Sequence, residues 1–489
     1  MAVSRDGVQW IKPKLDIIPY YGQPSNIIAN CTAPGVFIDY APHVPDSQRW
    51  KMLCDNTVWA GPDGFHFQPM FGAGHKSIRH FDDTMDIGYY DFQLARYVVM
   101  VRRDIQVEGK SNGVIRQIGR CETDDLSNWE KFAPADGCEV VFGPDHLDPE
   151  DVDVYTNSWT RYAGVNLFFP TMFHHFTVPD NCSISSKKCR PAPNGRGNDG
   201  LLSIRLVVSR DARKLSYVEA EDGRASFVDF GLNKCGPNAV HTTSPEGWCD
   251  MKSGVLAKTT FDTSGGYMVA GSVNSLDGDA VLTYASGQPF THNGWGYDTW
   301  GSNTGIRLLQ SRKHGFVSLR AGYVFNVPLE QLPQMATQPV RVPGSSSVTK
   351  PYLLLNIQTS SVGFAVVELR NPDTGQALEG FSFNKSDLIR GNTLAAAASW
   401  DNGQVGSLDS FRGKLVTVAV AMADSDLFSV WFGDLEHTSI SQCMGTLARM
   451  CPHAAGGTKR CDLCVGRHQA ALRSINCSIA QLHGWCSGE

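Results

Sequence analysis

Two kinds of side chain in this sequence are placed to do chemistry: thiols and closely spaced carboxylates. Fourteen cysteines occur in 489 residues, and three local pairs, Cys121/Cys138, Cys182/Cys189 and Cys235/Cys249, have the spacing of disulfides that staple short loops. Six more lie between Cys443 and Cys486. There, Cys461-x-x-Cys464 with His453 or His468 has zinc-ligand spacing, while three disulfides is the competing reading and the one an oxidising compartment favours. Among the acids, the run Asp151-Val-Asp153-Val-Tyr155-Thr-Asn157 alternates. As a strand it presents its polar members on one face, where a carboxylate can take or hold a proton. As a continuation of the acidic stretch from Asp145, it reads instead as a solvated rim. Glu122 is a proton donor by type, but its place beside a hairpin argues for the surface. His174-His175 can reach a site, although a strand buries one of two neighbours as routine.

Composition narrows the classes. Hydrophobic residues make up 42% and charged residues only 19%, so the chain can bury sizeable cores and is not a disordered polyampholyte. A net charge of −6 gives no footprint for nucleic acid, and no apolar run is long enough for a membrane span. Fourteen cysteines are many for a reducing cytosol, so a secreted or extracellular location is expected, and sequons at Asn30, Asn181, Asn384 and Asn476 are compatible with it. Met1 is followed by Ala-Val-Ser-Arg-Asp-Gly, which is no signal peptide. The reading is therefore of a signal already removed or of a start inside a longer precursor.

The elements that must position these groups repeat. Ser4-Arg-Asp-Gly-Val-Gln-Trp10 returns as Pro62-Asp-Gly-Phe-His-Phe67, as Thr123-Asp-Asp-Leu-Ser-Asn-Trp129 and as Ser209-Arg-Asp-Ala-Arg-Lys-Leu215. Ser311 to Phe316 is a degenerate fifth copy. In the first four, an aspartate (6, 63, 125, 211) precedes a large apolar residue by four positions. Such an aspartate closes a tight turn and the apolar residue starts the return strand. Apolar runs precede the copies, as at Tyr97–Val101 and Leu201–Val208. Antiparallel units of this size, each with one turn type, predict propeller blades; a β-sandwich with coincidental turns is the alternative. The first copy stands at residue 4, so its blade is represented only by its last hairpin.

Beyond the repeats, residues 331–351 are rich in Pro, Ser and Gly and read as a linker. Short alternating runs at 353–357, 363–369 and 415–420, with the turn Asn371-Pro-Asp-Thr-Gly375, predict a β-sandwich over 352–435. Residues 436–489 form the cysteine-rich module. The expected fold is all-β: a five-bladed β-propeller over 1–330, then the sandwich, then the small disulfide-rich module.

Hairpins of the Ser-x-Asp-Gly-x-x-Trp kind followed by a sandwich resemble the five-bladed propeller glycoside hydrolases: invertases, levansucrases, arabinanases and β-xylosidases. The likeness is nearest to their invertase-like branch. It is carried by Ser4–Leu15, Phe81–Asp91, Arg116–Trp129, Asp153–Phe176, Trp248–Gly254, Ile306–Gly322 and Tyr352–Glu368, and covers about residues 1–435. It implies a site at one mouth of the propeller axis, lined by the first strand of each blade. Hydrolysis there needs two carboxylates, ~5 Å apart for retention or ~6.5–9.5 Å for inversion. The resemblance places catalytic candidates at Asp83, Asp153 and Asp250, with Asn26, Asp86, Tyr155, Asn157, His174 and Trp295 as substrate-binding candidates. Each has a structural alternative: Asp83 or Asp86 can cap a turn, and Trp295, with Tyr297 and Trp300, can belong to a core rather than a sugar platform.

Three functions follow as expectations. A hydrolase needs two facing acids. A non-catalytic glycan binder needs aromatics and amides around one acid, which suits the Asn26 and Asn30 that the second blade offers in place of an aspartate. An extracellular structural protein would assemble through its cysteine-rich tail. No cofactor is expected, and the partner is carbohydrate rather than nucleic acid or membrane.

Overall fold

The computed structural model describes residues 1–31, 34–54, 57–70, 87–107, 114–127, 138–149, 152–175, 200–219, 224–229, 266–268, 271–276, 278–288, 292, 304–324, 326–344 and 348–435. Among them the protein is all-β, with no α-helix and hence no helix long and apolar enough to cross a membrane. It divides into two units, one of residues 1–273 and 282–309, the other of residues 274–281 and 310–489.

In the first unit, β1 (Ile18–Tyr20) and β2 (Gln23–Ile27) form a hairpin. Strands β3 (Gly35–Ile38), β4 (Trp50–Cys54), β5 (Thr57–Gly61) and β6 (Gln68–Pro69) follow as a four-stranded meander. A second meander holds β7 (Ile87–Asp91), β8 (Arg96–Gln106), β9 (Val114–Thr123) and β10 (Glu139–Phe142).

The third meander is interrupted. Strands β11 (Val152–Thr156) and β12 (Trp159–Tyr162) are one line of chain, as are β13 (Val165–Phe168) and β14 (Thr171–His175), and β15 (Gly200–Ile204) and β16 (Val207–Ser209). β17 (Ser216–Tyr217) closes it. The ladder continues across the interruption, because Phe169 N donates to Ser158 O at 2.9 Å and Arg205 N donates to Pro170 O at 3.0 Å. The run expected as one strand over Leu201–Val208 is thus two segments broken at Arg205-Leu206, opposite Pro170, whose ring removes a ladder donor.

The repeated turn has one structure. In each meander it joins the third strand to the fourth. Asp63 Oδ1 accepts from the N–H groups of Phe65 and His66, and Asp211 Oδ1 from those of Arg213 and Lys214, all at 2.9 Å. Asp125 accepts from Ser127 N at 2.7 Å, and Asp6 from Val8 and Gln9 N at 2.8 Å. These donors hold the Asp63 and Asp211 carboxyls at a pKa of about 2, chiefly through the His66 and Lys214 amides respectively. The Asp6 hairpin closes on a Val3–Ile11 bridge and packs on a distant strand segment. Tyr284 Oη donates to Gly7 O at 2.6 Å, and the Trp10 and Tyr284 rings meet edge to face at 5.4 Å. A Cβ on Gly7, whose φ is +74°, would stand 2.9 Å from Leu282.

Two disulfides are described. Cys121–Cys138 is the pair expected from spacing, and Cys31–Cys54, which spacing did not single out, ties the segment after β2 to the end of β4. The Cys182/Cys189 and Cys235/Cys249 pairs and the whole 436–489 module lie outside the described residues.

The division between the units falls within β18 (Val273–Asn274), β19 (Ala280–Gly287) and β20 (Gly305–Arg312). The second unit is built on one sheet of β21 (Leu319–Ala321), β22 (Gln334–Ala336), β23 (Val340–Arg341), β24 (Tyr352–Arg370), β25 (Asn392–Ala397) and β26 (Leu415–Gly433). The stretch read as a linker, 331–351, contributes β22 and β23, both paired with β26. The runs at 353–357 and 363–369 are one 19-residue strand, since a register shift between Thr359 and Phe364 absorbs the polar residues without ending the ladder. Both sheet faces are covered. Leu353, Val367, Val418 and Trp400 share one core, and Val366, Ala419, Ala421 and Leu332 share the other.

Candidate functional site

Asp153 is the one proposed catalytic residue that the structure describes, and it sits in a built polar site. Val152, Val154 and Met172 face the apolar core, so alternation turns Asp153 to the other side of β11. There Phe173 is its direct partner on β14, and His175 follows Phe173 on the same face. His175 Nε2 lies 2.9 Å from Asp153 Oδ2, and Arg116 Nη1, from β9, donates to the same oxygen at 3.2 Å. Asp153 is 2% exposed, and both partners are buried too.

Aromatic rings surround this trio. The Arg116 guanidinium stands 5.2 Å from the Tyr155 ring centre and 5.7 Å from that of Phe173. Arg102, paired with Asp104 at 3.2 Å, stands 5.6 Å from Tyr155. His292 meets the Tyr155 ring edge-on at 4.8 Å and Phe173 at 4.6 Å, and its backbone N–H donates to Gly200 O at 3.1 Å. Tyr267 lies 6.0 Å from Tyr155. Among the described residues, the site thus combines the Asp153 carboxylate and, through Arg102, that of Asp104 with two guanidinium groups, two imidazoles and three other rings, all on the first unit.

Other sequence candidates part company with it. Asn157 was expected to share the face of Asp153. A register shift between Val154 and Thr156 inserts one residue into β11, so Asn157 falls in phase with Val154 instead. Its carboxamide is buried, and neither of its side-chain polar atoms finds a hydrogen-bond partner. His174 points away from Asp153 and meets Ser203 Oγ at 2.8 Å; His175 is the member of the pair that reaches the site. Asn26 lies on β2, where its side-chain amide donates to Met1 O at 2.6 Å. Tyr155 is at the site but buried against arginine and histidine, not presented as an open platform. Asp83, Asp86, Asp250 and Trp295 lie outside the described residues, as do Asp151, Tyr297 and Trp300.

Glu122 is no proton donor. Although burial works to raise its pKa, the guanidinium groups of Arg120 and Arg213, both hydrogen-bonded to Oε1, hold its carboxyl below the usual range. Arg116, Arg102, Tyr267 and His292 were missed by the sequence reading. The only prior signal was parity: residues 171, 173 and 175 alternate together, so whichever histidine shares the face of Phe173 must be His175. Among the described residues, no group of three or more His, Cys, Asp or Glu is arranged to hold a metal ion.

No family model matches the chain, and no curated protein matches it. Solved structures similar to it include a glycoside hydrolase at 10% identity, covering 55% of this chain and 58% of that one, with a TM-score of 0.29. A thermostable family-43 glycoside hydrolase is 11% identical, with 64% and 80% covered and a TM-score of 0.31. A β-1,2-mannobiose phosphorylase from Listeria innocua is 11% identical, with 49% and 46% covered and a TM-score of 0.23. The chain spans 58% of the length of the first of these. At such values the likeness assigns no role to any residue here.

Proposed function

We propose that this is an extracellular, glycoside hydrolase-like protein whose first unit is a five-bladed propeller that binds and cleaves an oligo- or polysaccharide around Asp153. The observation that carries the reading is the Asp153–His175–Arg116 trio, held on a strand face among aromatic rings. It joins the resemblance of the blade hairpins to propeller glycosidases, and the turn-to-strand order of the three meanders supports blades. The contact of the Asp6 hairpin with Tyr284 joins distant parts of the first unit, as closure of a ring requires. A carboxylate bound on one oxygen by a guanidinium and an imidazole is a hydrogen-bond acceptor. Asp153 therefore takes the role of base, nucleophile or hydroxyl anchor, and Asp83 or Asp250 that of the acid that protonates the leaving oxygen. The second unit serves as the β-sandwich, and the disulfides support the oxidising location.

A second reading, a glycan binder without catalysis, is favoured by one observation: Asp153 Oδ2 is already engaged by Arg116 and His175 and is held inside the fold. The two separate on a polysaccharide panel. Cleavage by the wild type, measured as new reducing ends, with loss of ~100-fold or more in Asp83→Asn or Asp250→Asn, is the hydrolase outcome. Binding without cleavage is the binder outcome, and neither binding nor cleavage overturns both.

A further inference from the structure

Tyr20 and Tyr21 form an exposed aromatic pair at the tip of the β1–β2 hairpin. Tyr20 pairs with Gln23, so the turn has two residues, Tyr21 and Gly22, with φ values of 49° and 73°. Turns with both φ positive favour Asn-Gly or Asp-Gly, because a bulky side chain is strained in the left-handed region. Every other non-glycine residue with positive φ among the described residues is Asp, Asn, Ala or His. Among the described residues Tyr21 is thus the single large aromatic held there, yet it is 88% exposed and Tyr20 60%. The two rings touch edge to face at 4.5 Å, with planes 70° apart. Strain without burial points to a contact made with something outside the chain.

The hairpin also limits what that something is. From Ile17 to Cys31 the chain has no charged residue and no histidine; next to the tyrosines stands the exposed amide of Gln23, while Ser25 Oγ and the Asn26 amide are bonded to Ile18 O and Met1 O. A tip with two phenol rings and an exposed amide but no charged side chain suits a neutral sugar, whose C–H face stacks on a ring while its hydroxyls bond to the amide and the phenols. It lacks the basic residues that attract an anionic bilayer.

We propose that Tyr20 and Tyr21 form a secondary binding site for neutral polysaccharide, separate from Asp153. The inference rests on the carbohydrate reading given above. The test is affinity electrophoresis in gels containing neutral glucan, mannan, arabinan or fructan, with three proteins: wild type, Tyr21→Asn and Asp153→Asn. Asn favours the left-handed turn, so Tyr21→Asn keeps the hairpin while removing the ring. The expected result is that at least one polysaccharide retards the wild type and Asp153→Asn, while Tyr21→Asn loses most of the retardation and still processes short oligosaccharides as the wild type does. Equal retardation of Tyr21→Asn and wild type overturns the tip site and leaves the Asp153 reading standing. Retardation of none of the proteins overturns it too.

Discussion

At the residue scale, each buried charged side chain among the described residues meets a partner. Asp39 and Lys51 illustrate the rule away from the site: their side chains are almost fully buried and 3.0 Å apart, and Tyr97 Oη donates to Asp39 at 2.9 Å. Burial and that hydrogen bond raise the Tyr97 pKa, so the phenol remains a donor. Removing one partner from such a pair leaves an uncompensated ion in an apolar setting. Lys51→Met is expected to destabilise the fold by about 3–5 kcal/mol in urea unfolding, and Asp39→Asn/Lys51→Met to recover most of that loss. If the single variant unfolds at the wild-type urea concentration, the pair is not the buried couple described. The Asp153 trio follows the same electrostatic logic, but aromatic rings rather than aliphatic side chains surround it, which is the reason it reads as a site. Asp153 was legible in the sequence because strand alternation is local. Arg116 and His292 were not, because they arrive from another meander and a distant loop, and no local pattern reports such a meeting.

At the element scale, the aspartate turn is the unit of construction. Its carboxylate takes the place of a backbone acceptor for two N–H groups, and this is what the Asp-plus-four-apolar pattern encodes. Asp211→Ala is expected to lower stability by about 1 kcal/mol, as loss of a capping side chain does, whereas Asp211→Asn keeps most of it. The same bonds predict a pH dependence. Because the folded pKa of Asp63 and Asp211 is depressed to about 2, their contribution is present above the unfolded value of 3.8 and is lost as pH falls from about 4 to about 2. The urea midpoint should therefore rise as pH is raised from about 2 to about 4, and by less in Asp63→Ala/Asp211→Ala. An unchanged rise in the double variant would contradict the turn assignment. Cys31–Cys54 acts on the same scale by closing a loop with a sequence separation of 23. Replacing both by Ser should cost about 3 kcal/mol in the chain-entropy picture. That bridge was illegible because its cysteines are not near neighbours, unlike Cys121 and Cys138. The register shift at Tyr155 was illegible for a related reason: a bulge is set by the partner strand, and it moved Asn157 off the expected face.

At the scale of the whole molecule, the turn repeats and apolar runs were enough to expect an all-β chain built of meanders, because each repeat carries its own hydrophobic alternation and its own turn. They were not enough to distinguish one long strand from two short ones in the second unit. There, the polar residues between 357 and 364 look like a loop until their pairing with β26 is known. Nor did composition predict strands within 331–351, where proline and serine imitate a linker. The function rests on a chemical contrast: Asp153 must matter to carbohydrate and not merely to folding. The most direct measurement is titration calorimetry of an oligosaccharide fragment that wild type and Tyr21→Asn bind equally, comparing wild type, Asp153→Asn and Asp211→Ala, each first shown to be folded by its urea transition. The account predicts at least a tenfold loss of affinity, about 1.4 kcal/mol, in Asp153→Asn and none in Asp211→Ala. Equal binding by wild type and Asp153→Asn would contradict it.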